Sequence, residues 1–287
     1  MVRKFNSRGD RFFDFGLNLF LILVLVVTIV PLAYVVVVSL APLVLPNKAT
    51  PLISFAAYSE LLAAPSFLRA TINSAVLLIG GVSLNMILTV LSAFALSRKS
   101  LPGRGLILAF ILFTFLFNAG LVPQFLLMKN LGLLDSLPSV ILPGAISVYN
   151  LLIMIAFLQA LPESLGEAAR IDGASEFQVL RYVILPLSKP ILLTVGLFYA
   201  VNNWNEFFLP ILFLSDKDLM PLPVVLRDIL ASVNSAEYID GNAQATLASP
   251  EAIKMAAVIL TTLPMLLVYP WIQRNFTKGV LLGGVKE

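Results

Sequence analysis

Residues 161–190 read LPESLGEAARIDGASEFQVLRYVILPLSKP, the one long charged stretch between two strongly apolar runs. Pro162 suits the first turn of a helix, where its missing N–H costs nothing. Glu163 and Glu167 fall early in that helix, where the dipole favours negative charge. Gly173 fits the turn that ends it, because glycine accepts a positive φ without a Cβ penalty. Ser175 with Gln178 makes a capping box for a second helix. Pro186, followed by Pro190, is expected to interrupt that helix. The stretch therefore predicts two short helices meeting at a glycine corner, a knob beside a membrane. An amphipathic connector lying on lipid headgroups is the other reading of the same pattern.

Working outward, the chain of 287 residues is 59% hydrophobic and 12% charged, with a mean hydropathy of +0.95. Soluble domains carry about a quarter charged residues, so the solvent is a bilayer. Six apolar runs lie near residues 15–40, 71–96, 106–127, 139–160, 191–214 and 255–272. Each reaches the roughly twenty residues that a helix needs to cross the hydrocarbon. The first follows a basic start (Arg3, Lys4, Arg8, Arg11) but is too long for a signal peptide and is read as a retained span. Thirteen of the nineteen Lys and Arg fall on one side of the six spans, which puts both termini in the cytoplasm. The organisation expected is a cytoplasmic segment over 1–14, a membrane domain over 15–274 with 161–190 as its large cytoplasmic loop, and a cytoplasmic tail over 275–287. The connections 41–70 and 215–254 face outside. With neither cysteine nor histidine, disulfides, thiolate or imidazole metal sites and every Cys- or His-dependent catalytic scheme are excluded.

EAARIDGASEFQVLRYVILP resembles the EAA loop of ATP-binding-cassette importer permeases. That motif runs Glu-Ala-Ala, three residues, Gly, nine residues, a branched aliphatic, one residue and Leu-Pro. Glu167, Ala168, Ala169, Gly173, Val183, Leu185 and Pro186 stand at those spacings, with Val183 where Ile is more usual. Asp172 beside Gly173, the run NNWNEFFLPILFL and the ending YPWIQRNFTKGVLLGGVKE resemble the carbohydrate-uptake branch. NAGLVPQFLLMKNLGLLDS resembles its oligosaccharide and polysaccharide permeases. The resemblance implies an all-α integral membrane protein with six transmembrane helices and the type I ABC importer permease fold. It also implies that the loop is a coupling helix docking into a separate ATPase subunit. Ala168 and Ala169 would permit close approach, and Glu167 would pair with a basic residue of the ATPase.

No GxxxxGK[ST] string occurs, so this chain has no P-loop of its own. The resemblance implies a transport subunit that is not itself an enzyme and binds no cofactor, ATP and Mg being bound by the partner. The partners implied are two ATPase subunits, an external solute-binding protein, the oligosaccharide and a second permease, usually a different but related chain. The setting implied is a bacterial cytoplasmic membrane, with no nucleic acid involved. A non-sugar solute is the main rival within this class.

Glu206 is the only ionisable residue inside the six runs. A carboxylate at membrane depth faces protein or water rather than lipid. In an unbroken helix, Asn202, Asn203, Asn205 and Glu206 spread over roughly 160° of one side at about 100° per residue, with Trp204 outside that arc. The arc would hydrogen-bond sugar hydroxyls or join a neighbouring helix. Asn85, Asn118, Tyr149 and Asn150 are further candidates for a substrate path, each also readable as a structural bond. Trp204, Tyr149 and Tyr199 are candidates for stacking on sugar rings or for packing. Glu206 would also suit a proton-coupled secondary transporter, a reading that leaves the EAA loop unexplained.

Overall fold

The structure, a computed structural model, describes residues 8–42, 53–117, 119–232 and 248–283. Asn118, Arg3 and Lys4, parts of both outer connections (43–52 and 233–247) and the end of the tail (284–287) lie outside them. The described residues are helical, with a single isolated bridge between Pro42 and Ala248 and no strand.

In chain order the helices are α1 (Arg8–Ser39), α2 (Ala56–Ala63), α3 (Pro65–Ser97), α4 (Arg104–Leu116), α5 (Leu121–Asn130) and α6 (Leu137–Ile141). A 3₁₀ turn, Leu142–Gly144, then leads to α7 (Val148–Gln159). The charged stretch holds α8 (Glu163–Ile171), α9 (Glu176–Gln178), a π-helical turn Val179–Ile184 and α10 (Leu185–Leu187). The remaining helices are α11 (Lys189–Trp204), α12 (Phe208–Phe213), α13 (Leu222–Ala231) and α14 (Pro250–Gly283).

Prolines mark half of these beginnings. A proline ring clashes with the carbonyl four residues earlier unless it sits in a first turn. Pro65, Pro123, Pro138, Pro190, Pro210, Pro223 and Pro250 all stand in the first three positions of a helix. The runs over 106–127, 139–160 and 191–214, read above as continuous spans, are therefore each broken. The first breaks between α4 and α5, where Gly120 takes φ +86°. The second bends by 48° between Leu137–Gly144 and Val148–Gln159. The third breaks at residues 205–207, because Pro210 in an unbroken helix would meet the carbonyl of Glu206. A further bend of 85°, at Ser188, separates Glu176–Leu187 from α11. Among the described residues, three helical stretches are individually long and apolar enough to span a bilayer: Phe13–Ser39, Pro65–Ser97 and Pro250–Val268. Counting each bent pair as one span raises the number to as many as six.

The interruption expected at Pro186 and Pro190 falls between them, at Ser188, rather than at Pro186 itself. The helix continues to Leu187, and the wide π turn immediately before it changes the backbone spacing that would otherwise force a clash. At the other end of the chain α14 continues to Gly283, past the end near 272 expected for the last span.

The chain divides into two compact units, residues 1–64 with 229–261, and 65–228 with 262–287, with boundaries between α2 and α3, inside α13 and inside α14. In the first unit, Ser39 is buried at the end of α1 and its hydroxyl pairs with Tyr58 of α2 at 2.7 Å. The Ser54 N–H donates to the Leu40 carbonyl at 2.9 Å. Before Ser39, α1 presents apolar side chains such as Phe20, Leu23 and Val27 outward along its length.

The second unit is built on α3, α7 and α11. Ala93 and Leu96 from α3, Leu151, Met154 and Ile155 from α7, and Ile191, Val195 and Tyr199 from α11 form its principal buried cluster. The buried positions of α3 include Ser74, Gly81, Asn85, Thr89 and Ala93, so from Gly81 onward one face of this 33-residue helix is small or polar every fourth residue. Small residues let helices approach closely in a membrane. The segment after α12 is held by Asp135, whose carboxylate accepts from the Ser215 and Asp216 N–H groups, and by the Ser74 hydroxyl, which accepts from Leu222 N–H at 2.7 Å.

Candidate functional site: a helical knob and a polar seam

The knob follows from its own residues. Helix α8 runs from Glu163 to Ile171, and Asp172 caps its C-terminus. Gly173 then takes φ +85°. The Ala174 N–H returns to the Ala169 carbonyl at 3.0 Å, and the Gly173 N–H to Arg170 at 3.0 Å. Ser175 opens α9 with a capping box. Its hydroxyl accepts from the Gln178 N–H, and its own N–H donates to the Gln178 side chain at 2.7 Å. Glu167, Ala168 and Asp172 are exposed on α8 or its cap, and Ala169 is half-buried. Val183 and Leu185 are half-buried beyond the corner, while Pro186 is exposed. Ile171, 87% exposed, and Phe177 add apolar surface around the corner. Exposed apolar side chains among charges make a surface suited to a protein partner.

The second constellation crosses the principal cluster. Asn85 of α3 is 1% exposed. Its Nδ2 donates to the Gly144 carbonyl at 2.5 Å, and its Oδ1 accepts from Asn203 Nδ2 of α11 at 3.0 Å. One turn on, the Tyr199 hydroxyl pairs with Thr89 Oγ1 at 2.7 Å and accepts from the Ser147 N–H at 3.0 Å. The Ser147 side chain in turn caps α7 by accepting from the Asn150 N–H. Gly144 and Ser147 flank the 48° bend. A bend strips backbone groups of their helical partners, and lipid supplies no replacement. Side chains of α3 and α11 satisfy the broken backbone, so the bend is locked to both neighbouring helices. Gly81 is part of the same fit, since a Cβ there would stand 2.5 Å from Asn203 Nδ2.

The polar candidates of the fifth run do not form one helical arc. Helix α11 ends at Trp204, which is 5% exposed and packed inside. Asn205 bonds back to the Val201 carbonyl at 2.8 Å. Glu206 lies in the break, where its Oε1 accepts from the Phe208 and Leu209 N–H groups at 3.1 and 3.0 Å. The carboxylate thus caps the start of α12, consistent with the dipole there. Asn202, Asn203 and Glu206 do meet around one cleft with Gly144 and Leu77, but its volume is about 20 Å³, room for a single water rather than a sugar. Asn150 is buried beneath the α7 cap, and Tyr149 is 56% exposed with its ring 6.4 Å from that of Phe198.

In the sequence Asn85 and Asn203 stand out only separately, as polar residues in two different apolar runs. The sequence does not single out Thr89, Ser147 or Gly81, and it gives the Tyr199 hydroxyl no partner. The dipeptide Pro143-Gly144 is a turn signal within an apolar run, and it marks the bend they serve. Among the described residues no group of acidic side chains is placed to hold a metal ion.

Long apolar helices, a bend locked by buried polar groups and one charged helical knob fit a helical membrane protein. The model of the family described as "binding-protein-dependent transport system inner membrane component" matches residues 3–281, and the chain belongs to that family. It is 37% identical over 291 residues to Protein LplC of Bacillus subtilis, covering 98% of this chain and 97% of that protein. It is 38% identical over 284 residues to the polygalacturonan/rhamnogalacturonan transport system permease protein YtcP of the same organism, covering 96% and 99%. A solved structure of a bacterial ABC transporter involved in the import of the acidic polysaccharide alginate contains a similar chain. The TM-score is 0.87 at 30% identity, over 96% of this chain and all of that one.

Proposed function

We propose that this chain is one permease subunit of an ABC importer that moves oligosaccharide or polysaccharide fragments across a bacterial cytoplasmic membrane. The observation that carries the proposal is the helical corner at Asp172-Gly173, with Glu167 and Ala168 presented outward, on a chain that matches the alginate importer along its length. In this reading the broken helices pair into six spans, both termini are cytoplasmic, and residues 161–190 dock into a separate ATPase that binds ATP and Mg. A second, related permease and an external solute-binding protein complete the machine. Closure of the ATPase pair pushes on the knob and rocks the spans, opening the path outward and then inward. Of the path candidates, Asn202, Asn205 and Tyr149 are exposed enough to meet a sugar directly, whereas Asn85, Asn203 and Glu206 act through the seam and the break.

A proton relay through Glu206 is not favoured, because its Oε1 is engaged by the Phe208 and Leu209 N–H groups at the start of α12 and because such a relay leaves the charged loop at 161–190 without a role. The test is co-purification of the tagged chain in mild detergent with an ATPase assay. Recovery of an ATPase and a second permease, with hydrolysis stimulated by sugar-loaded binding protein, is the expected result. A chain that emerges alone and without ATPase contradicts the proposal.

A further inference from the structure

Glu176 is the first residue of α9, directly after the Ser175 cap. Its Oε1 accepts from Arg170 Nε at 3.0 Å, across the glycine corner from the last turn of α8. Its Oε2 accepts from the guanidinium of Arg98, the residue that follows α3. Arg98 is itself placed by the Phe94 ring, with its guanidinium carbon 4.4 Å from the ring centroid. One carboxylate therefore joins both arms of the corner and the end of a helix outside it. Hydrogen bonding to Arg98, and then to Arg170, holds the Glu176 carboxyl down to about 2, so it stays charged through the physiological range.

On its C-terminal side the chain runs from the knob through the 85° bend at Ser188 into α11, and on its N-terminal side residues 160–162 join the knob to α7. A bent joint transmits a push poorly. Helix α3 is one unbroken helix of 33 residues, and it carries Gly81, Asn85 and Thr89 of the polar seam. A tie at its end reaches the seam without passing through the bend. We propose that Glu176 is a positioning residue that fixes the coupling knob to the end of α3, so that the two move as one body during transport. This rests on the reading of the knob as the element that docks into an ATPase. Isolated ion pairs as exposed as these add little to folding stability. The tie therefore acts on coupling, and the measurement has to separate coupling from folding.

The test uses the complete importer reconstituted with its ATPase, second permease and binding protein. Glu176→Gln and Arg98→Gln are compared with the unsubstituted chain for ATPase co-purification, Tm and sugar taken up per ATP hydrolysed. Expected are unchanged co-purification and Tm, with uptake per ATP lowered about fivefold, the low end of ordinary coupling between sites. Unchanged uptake per ATP in both variants overturns the tie. Loss of ATPase association or a fall in Tm in either variant also overturns it, because the residues would then serve docking or folding. Since the natural chain has no cysteine, Arg98→Cys with Glu176→Cys can be joined by a bifunctional thiosulfonate. The joined protein should recover uptake per ATP that the unjoined pair has lost; arrest on joining would show that the contact must open. Failure of the unsubstituted chain to bind an ATPase would strike the docking reading instead, and is distinguishable from all of these.

Discussion

The Asn85 side chain holds the Gly144 carbonyl with its Nδ2 and takes the Asn203 amide on its Oδ1, so one buried residue of α3 fastens a bend before α7 to α11. Removing one partner of a buried bond leaves the other's desolvation uncompensated, at about 1–3 kcal/mol. Asn85→Leu strands both the Gly144 carbonyl and the Asn203 amide. It should lower stability by about 2 kcal/mol or more, read as a drop in Tm of the detergent-purified protein. A Tm equal to that of the natural chain would show that water already serves these groups.

Two adjacent glycines of α3 should behave oppositely. A Cβ at Gly81 would lie 2.5 Å from Asn203 Nδ2, whereas one at Gly80 would meet only the Ile141 Cδ1 at 3.6 Å, ordinary contact. Gly81→Ala forces Asn203 from its partner and should destabilise by about 1–3 kcal/mol, as overpacking does. Gly80→Ala should be neutral or stabilising by up to about 1 kcal/mol, from helix propensity. Paired thermal melts decide it, and equal effects would contradict the packing described.

Glu206 makes its cap with an acceptor oxygen, which a glutamine retains. Glu206→Gln should therefore keep assembly and leave Tm nearly unchanged, while Glu206→Ala should lose about 0.5–2 kcal/mol, the ordinary value of a helix cap. Transport by Glu206→Gln at a normal rate would exclude a titrating role, and abolished transport with intact assembly would restore it.

The Arg98–Glu176–Arg170 cluster has a defined pH behaviour. The folded carboxyl sits at about 2, below the roughly 4.3 of an unfolded glutamate. Its contribution is complete above that unfolded value and is lost as pH falls toward 2. Uptake per ATP should thus show no titration from this group between pH 5.5 and 8. A step in that window that Glu176→Gln abolishes would contradict the geometry.

Much of this was legible in the chain. The corner was readable because each device in it is local: Gly173 for a positive φ, Ser175 with Gln178 for a box, the acidic residues before them. The membrane setting was readable from run lengths. The breaks were legible in principle, because Pro123 and Pro210 each disfavour the continuous helix that apolarity alone suggests. They were overlooked because hydropathy is blind to backbone geometry. The partners of Asn85, Tyr199 and Glu176 were not legible at all. They join residues 59, 52 and 78 positions apart, and no local pattern encodes such pairings. Asn203 and Glu206 looked alike as polar residues in an apolar run, yet one faces α3 and the other caps α12, because the helix ends between them.

The most direct test of the central claim is uptake of a labelled oligosaccharide into proteoliposomes holding this chain, its partner permease and the ATPase, with binding protein outside and ATP inside. The expected result is accumulation that requires ATP and binding protein, and that Gly173→Pro abolishes while the chain still inserts. Uptake that proceeds without ATP but follows an imposed proton gradient would contradict it.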